Sequence, residues 1–237
     1  VLIAITAAIN GWLKDYWQDR RPPHNLWLDN RIEGSFGRPS GHAQVAFAMW
    51  AWLAYEIKKP WAWFAAILII GGVCASRLYL AVHDIDDILT GLSLGILGML
   101  VFIWLQTSTF FFVRNLPTIG HLILIVAVGA ILFLTWPNGN DASHTVGVLA
   151  LLFGWLVGAD MDHRLAPNAP QLPGWLGRGV MAVVGIVVLF AIQIALTKIT
   201  IALGLGGVTA RYTALAILGV YATGIAPMGF RALRLVK

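Results

Sequence analysis

Three short segments of the chain, at 14–22, 38–42 and 76–87, combine cations, histidines and carboxylates. Residues of these types can bind a phosphate group, attack it and move protons during its transfer. All three segments border apolar stretches of the sequence. Charges near hydrocarbon are costly unless they are paired or hydrated, so their presence at such borders indicates a functional use.

The first segment, KDYWQDRRP, places Lys14 and Arg21 seven residues apart. If the preceding helix continues through it, both side chains lie on one helical face and could bind one anion together. The alternative is a basic flank that extends to the membrane surface beside Trp17. Taken alone, the segment fits this alternative better.

The second segment, RPSGH, lies where a loop enters an apolar run. Pro39 suits a helix start, and Ser40 and Gly41 could present a hydroxyl and a backbone N–H group to an anion at the positive end of the helix dipole. We call the Ser40 hydroxyl and the Gly41 N–H group the phosphate cradle, and His42 lies beside it. The alternative is an ordinary helix cap, because serine is a preferred capping residue.

The third segment contains Ser76 and Arg77, followed by His83 four residues before Asp87. On a helix this spacing lets the carboxylate accept a hydrogen bond from one imidazole nitrogen and leaves the other free to attack. A metal site is the chemical alternative, because the histidine and the aspartates of this segment could act as ligands. The cations of the three segments already supply positive charge for a phosphate, which favours the metal-free interpretation.

The third segment is also more acidic than a phosphate site requires. At helical spacing Asp86 falls nearer to the face of His83 than Asp84 does, and negative charge there disfavours an anionic substrate. Acidic residues favoured by the dipole at a helix N-terminus are the non-functional explanation. Arg38, beside the phosphate cradle, could offset this charge or contact a second phosphate or headgroup anion of the substrate.

The chain that carries these segments has the composition of a membrane protein. Of its 237 residues, 59% are hydrophobic and 11% are charged, and the mean hydropathy is +0.78. In hydrocarbon every backbone polar group must be satisfied within the protein, so the long apolar runs should be helices. We therefore expect an all-α, polytopic transmembrane helical bundle. Its basic residues are few and lie between the apolar runs, so we expect no nucleic-acid partner.

The apolar runs predict the spans and their orientation. Spans are expected at 43–55, 61–75, 88–105, 118–135, 145–158, 179–196 and 212–226. Residues 1–13 are typical of the tail of a longer helix, which implies upstream sequence, and the linker 160–178 is predicted to be a surface loop. If each run crosses once, the three segments share one face. With their own cations set aside, the remaining lysines and arginines make the other face cytoplasmic.

Together the segments read Lys-x6-Arg-Pro, Pro-Ser-Gly-His and Ser-Arg-x5-His-x3-Asp, and with these motifs the chain resembles the type 2 phosphatidic acid phosphatase (PAP2) superfamily. The resemblance covers about residues 1–105. It implies a core of six helices, of which about two upstream helices are not in this sequence. We therefore divide the chain into a PAP2-like catalytic core at 1–106 and a C-terminal transmembrane extension of about four helices at 107–237.

The resemblance also implies a role for each motif residue. His83 would attack phosphorus and become a phosphohistidine, Asp87 would orient His83, and His42 would protonate the leaving oxygen. The residues expected to bind the phosphate are Lys14, Arg21, Ser40, Gly41 and Arg77. The resemblance implies neither a metal ion nor another cofactor.

The expected protein is an integral membrane phosphohydrolase that acts on a lipid phosphate or lipid pyrophosphate, a phosphatase of phosphoric monoesters or diphosphates. We expect it in a bacterial inner membrane with the site on the periplasmic face and a membrane lipid as substrate. One alternative is phosphotransfer, in which an acceptor other than water takes the phosphate from His83. A non-catalytic lipid transporter or binding protein is the other, although a binder has no need of the acid and the nucleophile.

Overall fold

The computed structural model describes residues 1–29, 34–107, 116–137, 142–167, 174–204, 208–233 and 235. Over these ranges the chain is helical with connecting turns, and it contains no strand. The expected all-α, polytopic helical bundle is therefore confirmed. The helices are α1 (Leu2–Trp17), α2 (Gly41–Ile57), α3 (Pro60–Tyr79), α4 (Ile85–Thr107), α5 (Thr118–Leu134), α6 (Ser143–Leu165), α7 (Trp175–Ala202), α8 (Val208–Val220) and α9 (Ala226–Ala232), with a 3₁₀ turn at His24–Leu26 and a π-helical turn at Tyr221–Ile225 between α8 and α9.

Five helical stretches in the described part of the chain are long and apolar enough to cross a membrane. They are α3, α4, Thr145–Leu165 within α6, α7, and the continuous stretch Ala210–Ala232 that includes the π-helical turn. Helix α5 is apolar but shorter. The chain is thus a multi-pass membrane protein. Five of the predicted spans lie within these five stretches, namely 61–75, 88–105, 145–158, 179–196 and 212–226. The predicted run 118–135 extends one residue beyond α5, and the predicted span 43–55 lies in α2, which is not one of the five.

The predicted surface loop at 160–178 is shorter than expected. Helix α6 continues to Leu165 and α7 begins at Trp175, while residues 168–173 lie outside the described part. Asp160 and Arg164 therefore lie on the last turns of α6, where Arg164 Nε donates to Asp160 Oδ2 over 2.6 Å. Polar composition predicted a loop here, but opposite charges four residues apart suit a helix equally well.

The described helices fall into two compact units. The first contains α1 to α4 and the end of α5, and the second contains the start of α5, nearly all of α6, and α7 to α9. In the first unit α2 contacts α1, α3 and α4. Much of its buried surface is alanine, including Ala43, Ala48, Ala51 and Ala54. Small side chains let helices approach closely where lipid supplies no hydrophobic force between them.

The contact between α2 and α4 is a backbone contact made through glycines. A Cβ on Gly91 would lie 2.5 Å from the Ser40 carbonyl oxygen, and a Cβ on Gly95 would lie 2.8 Å from that of Gln44. No side chain fits at either position, so α4 packs directly against the first turns of α2. This packing places the start of α4 beside the start of α2.

Helices of the second unit also make close backbone contacts through glycines. Gly154 and Gly158 of α6 face Gly219 of α8 and Gly224 of the π-helical turn at distances that leave no room for a Cβ. Thr223 Oγ1 also donates to the Trp155 carbonyl oxygen over 2.7 Å. Helices α6 and α8 are therefore packed against each other through close backbone contacts.

Candidate active site

The three motif segments meet at one end of the first unit. Helix α1 ends just before the first segment, α2 begins within the second, and the third joins the end of α3 to the start of α4. Backbone hydrogen bonds connect them: the Ser40 N–H donates to the Asp87 carbonyl over 2.9 Å, and the Gly37 N–H donates to the Asp19 carbonyl over 2.9 Å. The antiparallel course of successive helices thus brings together residues that lie more than 60 positions apart in the sequence, such as Arg21 and His83.

His83 and Asp87 form a buried pair. His83 Nδ1 lies 2.8 Å from Asp87 Oδ2, and the two residues are 4% and 0% exposed. The sequence predicted that both residues lie on one helix. Only Asp87 does, because α4 begins at Ile85. His83 lies in the turn before α4 and Asp87 in its first turn, and the hydrogen bond forms because the turn folds back over the helix start.

Asp84 explains why Asp87 is held firmly. The Asp87 N–H donates to Asp84 Oδ1 over 2.9 Å, and the Asp84 N–H donates to Asp87 Oδ2 over 3.3 Å. This reciprocal pair is a capping box, with Asp84 as the cap of α4 and Asp87 three residues later. Asp84 thus serves the helix N-terminus, in line with the non-functional alternative, and this cap also orients the carboxylate that contacts His83.

The partners of His83 define its tautomer. Asp87 Oδ2 accepts hydrogen bonds, so Nδ1 carries the proton, and Arg21 Nη1 lies 3.2 Å from Nε2. A guanidinium can only donate, so Nε2 presents its lone pair to Arg21. An unprotonated Nε2 is what a nucleophilic imidazole requires, and here its lone pair is occupied by Arg21.

The environment of His83 favours this neutral form. Burial lowers the pKa of His83 below its ordinary value, and the nearby charges of Arg21 and Lys14 act in the same direction. The hydrogen bond to Asp87 and the charge of Asp87 raise the pKa without reversing the shift. His83 is therefore unprotonated at neutral pH.

Lys14 and Arg21 both lie at the site, but they do not share one helix face as predicted. Helix α1 ends at Trp17, and Gln18 follows with a φ of 49° in the left-handed region, so Arg21 lies in a loop and not on the face of Lys14. Arg21 Nη1 donates to the Val82 carbonyl over 2.5 Å. Lys14 Nζ donates to the carbonyls of Phe36 and Gly37 over 2.5 and 2.8 Å. Lys14 is thus held by backbone oxygens just before the second segment, and Arg21 by a backbone oxygen of the third.

His42 and Arg77 complete the group. His42 lies in the first turn of α2 with an exposed side chain, and Arg77 lies in the last turn of α3. Burial lowers the pKa of His42 below its ordinary value, and the nearby charges of Arg77, Lys14 and Arg21 act in the same direction. The structure thus brings together the five charged or titratable residues of the predicted site that were assigned to nucleophile, acid and phosphate contacts.

Ser40 occupies the cap position of α2 but does not cap it. Its hydroxyl makes no hydrogen bond to the first turn, and among the described residues it has no hydrogen-bond partner although Ser40 is fully buried. A buried hydroxyl without a partner is costly, and an anion at the start of α2 would satisfy it. The ordinary-cap alternative is therefore not what the helix start shows. Gly41 has a second reason to be glycine, because a Cβ there would lie 2.9 Å from Asn10 Oδ1.

Arg38 lies between two carboxylates at the rim of the site. Its Nε is 3.5 Å from Asp19 Oδ2 and its Nη2 is 3.6 Å from Asp86 Oδ2. Asp86, whose side chain is 74% exposed, is thus compensated by Arg38, as the charge argument anticipated. A second substrate phosphate at Arg38 would have to compete with these carboxylates.

The acidic residues of the third segment are used in different places. Asp84 caps α4, Asp86 faces Arg38, and Asp87 faces His83. Within the described ranges, no group of three or more histidine, cysteine, aspartate or glutamate side chains is arranged to hold a metal ion. The set of ligands offered by the metal-site alternative is therefore not assembled.

Several residues that shape the site carry no chemical signal in the sequence. A Cβ on Gly37 would lie 2.8 Å from Asp87 Oδ2, so this glycine lets the loop pack on the carboxylate. Asn10 Nδ2 donates to the Pro39 carbonyl over 3.2 Å and to Gln44 Oε1 over 2.7 Å. The spacing of Gly91 and Gly95 on α4 was a usable sign of close helix packing. Gly37 and Asn10 had no such sign.

Comparison with known proteins gives matches over both halves of the chain. The family model described as "PAP2 superfamily" matches residues 1–111, and that described as "PAP2 superfamily phosphatase, transmembrane extension" matches residues 146–237. Phosphatidylglycerophosphatase B of Bacillus subtilis (strain 168) is 39% identical over 98 residues, which are 38% of this chain and 47% of that protein. The chain thus matches about half the length of this curated relative. No solved structure matches the chain significantly.

Proposed function

The chain belongs to the PAP2 superfamily, and from this membership and the geometry of the site we propose that it is a membrane phosphohydrolase acting on a lipid phosphate or lipid pyrophosphate. The observation that carries the proposal is the hydrogen-bonded pair of His83 and Asp87, in which His83 Nε2 faces Arg21. A binding protein needs the cations but not a buried histidine held in one tautomer by a carboxylate.

In the first step, His83 Nε2 attacks phosphorus, and a P–N bond forms as the bond to the leaving oxygen breaks. His42 donates a proton to that oxygen, which departs as the lipid alcohol or the lipid monophosphate. Asp87 stabilises the positive charge that develops on the imidazole. Arg21 now contacts the phosphoryl oxygens and no longer Nε2, which frees the lone pair for the attack.

In the second step, water attacks the phosphohistidine. His42, which lost its proton in the first step, accepts one from the water, and the P–N bond breaks as inorganic phosphate leaves. His83 returns to its neutral form. No proton is gained or lost by the two histidines over the cycle, so the site is ready for another substrate.

The phosphoryl group in transit is stabilised by charge. Lys14, Arg21 and Arg77 surround it, and the phosphate cradle contributes the Ser40 hydroxyl and the Gly41 N–H group at the start of α2. Cations fixed by backbone carbonyls, as Lys14 and Arg21 are, need little reorganisation when charge develops. We propose that these groups replace a metal ion and that the reaction is metal-independent.

Two observations support a lipid as the substrate. The site lies at the ends of helices that are apolar and mostly exposed along their length, so an amphiphile in the bilayer could reach it by lateral diffusion. The relative from Bacillus subtilis is named a phosphatidylglycerophosphatase. We further propose a bacterial inner membrane, with the site on its periplasmic face, in accord with the distribution of lysine and arginine.

The test is phosphate release by the purified protein in detergent and EDTA. Phosphatidic acid, phosphatidylglycerol phosphate and undecaprenyl pyrophosphate are the substrates, and His83→Ala is the matched inactive variant. We expect release that survives chelation and is lost in His83→Ala. Activity that requires a divalent cation, or that persists without His83, would contradict the mechanism. Phosphotransfer would be indicated if an added lipid-linked sugar became phosphorylated in place of free phosphate release.

A further inference from the structure

Asn10 is a buried amide in the middle of α1, four residues before Lys14 and only 6% exposed. A polar side chain buried among membrane helices is costly unless its hydrogen bonds are made. Both N–H donors of Asn10 are used across the helix contact, one by the Pro39 carbonyl at 3.2 Å and one by Gln44 Oε1 at 2.7 Å.

The first of these acceptors lies at the phosphate cradle. Pro39 precedes Ser40 directly, so the Asn10 amide holds the chain at the residue before the helix start. Asn10 Oδ1 faces Gly41 so closely that a Cβ there would lie 2.9 Å away. One side chain therefore contacts the chain on both sides of Ser40.

Asn10 and Lys14 act on the same segment. They are four residues apart and share one face of α1. Lys14 Nζ donates to the carbonyls of Phe36 and Gly37, and Asn10 donates to that of Pro39. The segment 36–39 is thus bound to α1 by three carbonyl hydrogen bonds, and its position sets the position of the phosphate cradle.

Gln44 extends the contact but does not reach the phosphate cradle with its side chain. Its Nε2 donates to the Thr6 carbonyl over 3.2 Å, one turn further along α1, and its other side-chain contact is with Asn10. The two amides therefore have different roles. Gln44 joins α1 to α2, whereas Asn10 also fixes the residue before Ser40.

We propose that Asn10 is a positioning residue for the reaction, which holds the phosphate cradle where the transferring phosphoryl group develops charge. This inference rests on the proposed function. It predicts that loss of the amide weakens binding of the transition state more than binding of the ground state, because preorganised donors matter most where charge develops. Asn10 itself does not touch the substrate.

The test compares Asn10→Leu with Gln44→Met. Both changes remove one amide of the pair at similar size, but only Asn10→Leu removes the hydrogen bond to Pro39. For Asn10→Leu we expect kcat on a lipid phosphate to fall roughly 10- to 100-fold with KM changed by less than about 3-fold. For Gln44→Met we expect a lower Tm but a kcat within about 3-fold of the wild-type value. Thr6→Val, whose hydroxyl bonds only within α1, is the control for burial.

Binding of orthovanadate and of inorganic phosphate, measured by calorimetry, separates this inference from the proposed function because it needs no turnover. Asn10→Leu should weaken vanadate binding at least about 10-fold and phosphate binding much less. If the wild-type protein releases no phosphate from any lipid phosphate, the proposed function fails, and the two affinities still report on Asn10.

Equal losses of activity in Asn10→Leu and Gln44→Met, or an unchanged ratio of vanadate to phosphate affinity, would overturn the proposal and leave Asn10 as a helix-packing residue. Should Asn10→Leu fail to fold, Asn10→Asp retains the size and replaces the N–H donors with acceptors. The ratio of vanadate to phosphate affinity in that variant then tests the proposal. Failure of both to fold while Gln44→Met folds would likewise assign Asn10 to folding and overturn the proposal.

Discussion

The chemistry of His83 depends on three groups that surround it. Asp87 holds the proton on Nδ1, Arg21 faces the lone pair of Nε2, and burial disfavours the charged ring. Each group acts on a different property, namely the tautomer, the approach of the anion and the protonation state. Changes at single residues should therefore separate these contributions.

Asp87→Asn tests the tautomer. An asparagine can donate to Nδ1, which places the ring proton on Nε2 and removes the attacking lone pair. We expect kcat for phosphate release to fall roughly 10³-fold or more with little change in KM. Asp86→Asn, the same change one residue earlier on an exposed side chain, is the control and should stay within about 3-fold of wild type. Comparable losses in both variants would contradict the assigned role of Asp87.

The pH dependence tests the protonation state. Only unprotonated His83 attacks, so activity rises with pH through the His83 pKa and is lost as the pH falls below it. Because burial lowers that pKa, the acidic limb of kcat/KM should be centred below about 6.5, the ordinary imidazole value. A wild-type limb centred at or above this value that also stays in place in Asp87→Asn would contradict the assignment.

The pH dependence of the residual activity of Asp87→Asn tests whether the acidic limb belongs to His83. Asp87 raises the His83 pKa, so its removal should shift the acidic limb to lower pH. Titration of the substrate phosphate is the same for both proteins and cannot produce a difference between them.

At the scale of elements, the start of α4 positions both the pair of His83 and Asp87 and the proposed phosphate cradle. Its capping box orients Asp87, and its glycines let it lie against the backbone at Ser40. One helix end thus connects two motifs that are about 40 residues apart in the sequence. In the proposed mechanism, the distance between His83 and the bound phosphate depends on how closely α4 packs on α2.

Gly91→Ala tests this packing. The new Cβ would lie 2.5 Å from the Ser40 carbonyl oxygen, so the helices must separate or Ser40 must shift. We expect a lower Tm in detergent and a loss of kcat of roughly 10-fold or more. Gly98→Ala on the same helix meets its nearest atom, Thr6 Oγ1, at 3.5 Å, which is ordinary contact, and should behave like wild type. Equal effects of the two changes would argue against the role of the α2–α4 contact.

At the scale of the whole molecule, the chain is a multi-pass membrane protein of two helical units. The motif segments lie at one end of the first unit, and the connection between α2 and α3 at Lys58 lies at the other end of the same helices. The proposed orientation therefore predicts which positions are reached from outside the cell.

Cysteine labelling tests this orientation. The sequence contains one cysteine, Cys74, so Cys74→Ser provides a cysteine-free background. In intact bacterial cells, Asp86→Cys should react with a membrane-impermeant maleimide, and Lys58→Cys should react only after permeabilisation. Both positions are exposed, so accessibility within the protein does not explain a difference. The reverse pattern would place the site on the cytoplasmic face.

Much of the fold could be read from the sequence, as could the residue types that the candidate site combines. The apolar runs predicted the helices because hydrophobicity is a local property that sums along the chain. Helix ends were less predictable, as the continuation of α6 to Leu165 shows, because a polar stretch suits a loop or a charged helix end. The division at 106 and 107 and the role of each site residue remain predictions.

The sequence by itself determined that the chain enters a membrane as helices and that its histidines, cations and Asp87 are of the types a phosphatase needs, since composition and motif order are properties of the chain alone. Only the tertiary structure decided how these residues meet: Asp86 faces Arg38, Asp84 caps the helix of Asp87, and Asn10 holds Pro39. Contacts of this kind depend on how helices and turns pack in space, and no local pattern of residues specifies that packing.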